Sequence, residues 1–195
     1  LHVDNASATV KNSVIEFSKQ HGVYLAQSDA VIEHTTIGSN RFHQNMDSAG
    51  IMAVDGQITI ANSTISDNTV GIALVTAGSA HDMRIEGNLF TGNVQEAVHV
   101  NGTHPVFAGN RARENGLNAV LLDSAAVTQD HVLSANLPYV IRTVEYPVQE
   151  GKTLTLEPGV IVKLEGDGSI MVRGTLRALG THTLPIVFTS IHDDT

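Results

Sequence analysis

An all-β fold, a right-handed parallel β-helix built as a solenoid of three-strand coils, is what this sequence predicts, on three observations. A unit of the form apolar-x-Asn/Gly-Ser/Asn-x-apolar-x-x-Asn, followed after a short gap by Gly/Ala-apolar-x-apolar, recurs along the first part of the chain. Within the unit apolar residues alternate with period two, as half-buried strands require. Aromatic residues make up only 4% of the chain and Trp is absent, so the interior has to be filled by small aliphatic side chains, which suits a narrow layered core.

Five copies of the unit can be laid over one another: TVKNSVIEFSKQHGVYL from Thr9, VIEHTTIGSN from Val31 with GIMAV from Gly50, TIANSTISDNTVGIAL from Thr59, RIEGNLFTGNVQEAVHV from Arg84 and FAGNRARENGLNAVLL from Phe107. The equivalent positions Val10, Ile32, Ile60, Ile85 and Phe107 are 22, 28, 25 and 22 residues apart, a period near 22 with loop insertions. Short strands at that interval, punctuated by Asn and Gly, are what stacked coils need. The stacking puts Val23, Ile51, Ile72, Val98 and Val120 in one inward column and Leu25, Ala53, Leu74, Val100 and Leu122 in the next. Ile15, Ile37, Ile65, Phe90 and Ala112 make a third. Asn40, Asn68, Asn93 and Asn115 share one phase, at a turn, where Asn tolerates the left-handed conformation and can bond to its own kind in the next coil. Gly22, Gly50 and Gly71 precede the apolar strand for a similar backbone reason. A leucine-rich repeat has a similar period but needs an L-x-x-L-x-L-x-x-N pattern that is missing.

Residues 1–122 thus read as β-helix coils. Residues 123–138, DSAAVTQDHVLSANLP, lose the repeat and read as a linker or covering loop. From Tyr139 clean alternation returns at Leu154/Leu156, Val162/Leu164, Ile170/Val172, Leu176/Ala178 and Ile186/Phe188, with turns at Glu157-Pro158-Gly159, Gly166-Asp167-Gly168, Gly174 and Gly180. Residues 139–195 therefore start a second β-helix or continue the first. Both ends read as cuts, since Leu1 and Val3 already keep the register of Val23 and Leu25.

The run TLTLEPGVIVKLEGDGSIMVRGTLRALGTHTLPIVFTS resembles the opening coils of right-handed β-helices in bacterial secreted and surface proteins. The first 122 residues resemble the same pectate-lyase-like superfamily through its generic coil. That resemblance implies an extracellular, cell-surface or periplasmic location and polysaccharide as the partner class. It also implies where an enzyme of this kind would work: on the outside of one sheet, with acidic residues that hold calcium and a Lys or Arg base, or with paired carboxylates. Neither set occurs on the outward positions Tyr24, Met52, Ala73, His99 and Leu121, or on Ala26, Val54, Val75, Asn101 and Asp123. A strip so apolar is expected to lie under a loop, a neighbouring domain or another subunit. No cofactor is expected of this chain. A calcium loop beginning at Asp193 and Asp194 would belong to a longer parent.

A net charge of -9 opposes binding to nucleic acid or to an anionic membrane, and no apolar stretch approaches the ~20 residues of a membrane span. With no Cys there are no disulfides or thiolate metal sites. Pairing His99 with His104, or His34 with His43, gives no metal-ligand spacing. Thr153 and Thr155 give the one Thr-x-Thr expected within a strand, and no ladder of them forms an ice-binding array. The recognition candidates are His43, Gln44, Asn45 and Asp47 in the largest coil insertion, together with Tyr24 and His99 on the outward strip. The expected function is a non-catalytic surface module, structural, adhesive or glycan-binding. Two other readings stand beside it: a fragment of a polysaccharide lyase or epimerase, and homo-oligomerisation through open coil ends.

Overall fold

The computed structural model describes residues 1–41, 48–76, 83–123 and 126–193. Its spine is a nine-stranded parallel sheet, the long sheet, made of His2–Asp4, Val23–Ala26, Ala49–Val54, Val70–Val75, Glu96–Asn101, Leu117–Asp123, Tyr139–Ile141, Ile161–Leu164 and Val187–Ser190. Each strand is one coil further along the chain than its neighbour, so the sheet marks eight turns of a solenoid. Through the first coils two five-stranded sheets complete the cross-section. One runs from Ser7–Lys11 through Asp29–Glu33, Ile58–Ala61 and Met83–Glu86 to Val106–Ala108. The other runs from Val14–Glu16 through Thr36–Gly38, Thr64–Ser66 and Leu89–Thr91 to Arg111–Arg113.

The inward columns stack in register. Val23 pairs with Ile51, then Ile72, Val98 and Val120, all with no exposed surface. Leu25, Ala53, Leu74, Val100 and Leu122 follow two residues on. Ile15 through Ala112, and Val10 through Phe107, do the same on the other two sheets. Each such aliphatic contributes about 1.5–3 kcal/mol when buried. Because it is flanked above and below by its own kind, the core is a continuous rod.

The corners are held by polar ladders. Asn40, Asn68 and Asn93 each donate both the backbone N–H and the side-chain Nδ2 to Oδ1 of the next Asn in the series, at 2.8–3.1 Å. The same Nδ2 groups also donate to the carbonyls of Ile15, Ile37 and Ile65 in the coil before. The turn chemistry differs from the sequence reading in one respect. The left-handed residues are Ser39, Asp67, Gly92 and Glu114, each immediately before the ladder Asn. The Asn must aim its side chain inward along the ladder, and the strained conformation falls on the neighbour that faces outward. A second ladder at the opposite corner runs from Thr35 through Ser63, Asn88 and Asn110 to Asn136. Gly50 is needed for close approach: a Cβ there would lie 2.8 Å from the Gly71 carbonyl and 2.7 Å from Asn68 Nδ2.

After Leu117–Asp123 the cross-section is rebuilt. Val127 bridges to Val148, and His131–Leu133 follows, with Ser134 Oγ donating to Phe107 O and Asn110 N–H donating to Asn136 Oδ1. Chain from the 123–138 segment therefore stacks on the coil below. It then returns at once to the long sheet at Tyr139, and among the described residues no strand stands on Arg111–Arg113. Asn118 takes the place of the missing rung, its Oδ1 accepting from both nitrogens of Asn115. Later coils use new sheets, Tyr146–Val148 with Ile170–Val172, and His131–Leu133 with Thr153–Leu156 and Thr175–Ala178. The long sheet continues through this change, with Leu122, Ile141 and Leu164 in one column. Larger residues fill the altered interior: Tyr139 and Tyr146 are buried, and the rings of His104 and His131 meet at 5.0 Å.

Candidate functional site

The side chains that alternate outward from the long sheet form one row across the coils: His2, Tyr24, Met52, Ala73, His99, Leu121, Val140, Lys163 and Thr189. Tyr24 and His99 are thus on one face, three strand spacings or roughly 14 Å apart. Tyr24 stands between two imidazoles, His2 edge-on at 4.8 Å and His21 tilted at 5.5 Å. His21 is itself tied to the sheet by the Ala49 N–H, which donates to its Nδ1.

Between these ends Ala49, Val70 and Ala73 are buried with Met52 packed on them. They floor a depression of about 310 Å³ that also reaches Gln95, Glu96, His99 and Arg142. Farther along, Leu121 and Val140 are buried on the outer face beneath contacts that include Ile191.

His99 is the polar centre of the depression. Its Nδ1 is 2.8 Å from Glu96 Oε1, and its Nε2 is 3.6 Å from Asp123 Oδ2. Glu96 opens the same strand, three residues earlier. Asp123 ends the next strand, where a register shift adds one residue between Leu117 and Val120. Only 5% of Glu96 is exposed. Burial, the largest single influence on its carboxyl, works to raise the pKa. It is outweighed by the His99 hydrogen bond, the backbone and the charges of His99 and Arg142, so the group stays below its ordinary value. An ionised Glu96 makes Nδ1 the donor and orients the ring. Arg142 sits beside this cluster with Nε 2.6 Å from Glu165 Oε2. That hydrogen bond, ahead of the charges of Glu96 and Asp123, raises the Arg142 pKa above the usual guanidinium value.

Of the recognition candidates, Tyr24 and His99 are brought to one face. His43, Gln44, Asn45 and Asp47 lie outside the described residues. His104, paired in the sequence with His99 as a rejected metal site, instead meets His131 inside the solenoid. Among the described residues no group of three or more His, Asp or Glu is arranged to hold a metal. Asp123 was read from the sequence only as an outward position, and Glu96, Arg142 and Glu165 were not singled out. The i,i+3 spacing of Glu96 and His99 was a usable signal; Arg142 was not findable, because its place depends on how residues 123–138 stack.

No curated protein and no solved structure matches the chain. The family model described as "Right handed beta helix region" matches residues 1–142. With parallel coils stacked over eight turns and a match across most of its length, the chain belongs to the right-handed β-helix family.

Proposed function

We propose that the outer face of the long sheet binds a polysaccharide lying along the solenoid axis, and that the protein is a recognition module displayed outside the cytoplasm. The observation that carries this reading is one row on one face: Tyr24, braced by His2 and His21 in a hollow of its own, then Met52 on the next strand, then an apolar-floored depression that ends in the polar cluster at His99. A sugar ring has an apolar face and a rim of hydroxyls. Aromatic and methionine surface suits the first, and fixed carboxylate and imidazole groups suit the second. Coils spaced ~4.8 Å apart also repeat at about the length of one pyranose unit.

The test is a glycan-array screen of the purified chain beside a lyase assay on pectate and alginate with calcium. Binding without turnover is expected. Tyr24→Ala should weaken the best ligand at least about tenfold while leaving the thermal midpoint almost unchanged, because the side chain is half-exposed. Binding to no glycan, or binding indifferent to Tyr24→Ala, defeats the reading.

The second reading, a fragment of a lyase or epimerase, is favoured by the placement of the His99 imidazole between two carboxylates at the depression, Glu96 on Nδ1 and Asp123 3.6 Å from Nε2. Unsaturated or epimerised product that disappears in His99→Ala would select it.

A further inference from the structure

We infer that the ligand of this face is an uncharged glycan, and that uronate polymers are turned away. The inference rests on the glycan reading above and names its substrate class.

The charge of the face carries the argument. Across all nine strands of the long sheet the only Lys or Arg is Lys163, and Arg142 follows directly after Tyr139–Ile141. Both are already held by protein oxygens. Lys163 Nζ donates to the Asp193 carbonyl, and Arg142 Nε donates to Glu165. Against them the same strands carry Asp4, Glu96 and Asp123, with Glu165 immediately after Ile161–Leu164.

At the depression itself one guanidinium faces three carboxylates: Glu165 by direct contact, Glu96 and Asp123 through space. Glu96 stays ionised although it is almost wholly buried. A ligand carboxylate entering here would approach two fixed negative charges across an apolar floor of low dielectric, where like charges repel more strongly than in water. Among the described residues the one Lys or Arg that lines the depression is Arg142, whose guanidinium is already bonded to Glu165. Sugar hydroxyls meet the opposite situation. They are donors, and ionised carboxylates with an oriented imidazole are acceptors ready for them. Net charge points the same way at long range, since -9 slows the approach of any polyanion.

The experiment titrates the full chain with neutral hexasaccharides (cellohexaose, mannohexaose and chitohexaose) and with hexagalacturonate and hexamannuronate, at low and high salt, with and without calcium. At least one neutral hexamer should bind with an affinity that salt does not change. The uronates should bind at least about tenfold more weakly, with or without calcium. Glu165→Gln removes the carboxylate bonded to Arg142, and it should tighten uronate binding and so narrow the gap between the uronates and the neutral ligand. Uronate binding equal to or tighter than neutral binding in the unmodified chain overturns the inference, and so does uronate binding that appears on adding calcium. If nothing in the series binds, the glycan reading fails as a whole, which is a different result from uronate preference.

Discussion

Single residues matter here through the ladders more than through the apolar columns. An Ile in a column can be replaced by a similar volume at modest cost, because its neighbours are also aliphatic. A ladder Asn cannot. Asn68 Oδ1 accepts from the Asn40 N–H and its Nδ2 donates to the Ile37 carbonyl, both in a buried corner. Asn68→Ala leaves those two backbone groups without partners, and each buried polar group left so costs roughly 1–3 kcal/mol. A loss of about 2–4 kcal/mol in urea unfolding is expected, larger than for Asn5→Ala, whose side chain is exposed. Equal effects at the two sites would mean that the ladder bonds are no better than bonds to water.

At the scale of elements the weak point is the place where the cross-section changes. His131 opens the strand His131–Leu133 and points inward against His104. Burial, with the charge of His104 adding to it, pushes the His131 pKa down to about 3. His104 is lowered too, mainly by burial and against the opposing effect of its bond with the Ala126 carbonyl. The unfolded chain takes up these protons near pH 6.5, whereas the folded chain does so only well below that, so the unfolded state binds more protons as pH falls. Stability is therefore complete above about 6.5 and is lost progressively toward pH 3. By pH 4 His131 alone removes about 3 kcal/mol. Urea midpoints measured from pH 7 to pH 4 should fall less steeply in His131→Leu than in the parent chain. Parallel curves would show that His131 is not the group responsible.

For the whole molecule, stacking makes stability a sum of coil and nearest-neighbour terms. Ala49 pairs with Val70 one turn later, and Asn68 is the rung that stands between Asn40 and Asn93 in the corner ladder. Deleting residues 49–69 should therefore splice Ser48 to Val70 and bring Val23 onto Ile72 with the solenoid intact. The expected outcome is an unchanged β-type circular dichroism spectrum and a urea m-value lower by about one-eighth, one turn in eight. Loss of the spectrum would show that the coils depend on specific partners and are not interchangeable.

The repeat, the inward columns and the Asn ladder were legible in the residues themselves, because each is a local pattern copied coil after coil and every copy buries against the next. The family follows from the same pattern. Tyr24 and His99 were legible as outward positions for that reason as well: period-two alternation assigns a face without knowing what lies above it. Three things only the tertiary structure decided. Coil stacking across residues 123–138 has no repeat to announce it, since Val127, His131 and Asn136 find their partners through contacts 21 or more residues away. Asn118 closing the first ladder is a substitution of one rung by a residue from the same coil, which no period reveals. The polar cluster draws Glu96, His99, Asp123, Arg142 and Glu165 from successive coils, and their meeting depends on one register shift and on the re-formed cross-section. Alternation specifies which way a side chain points, whereas the register between coils specifies what it meets there.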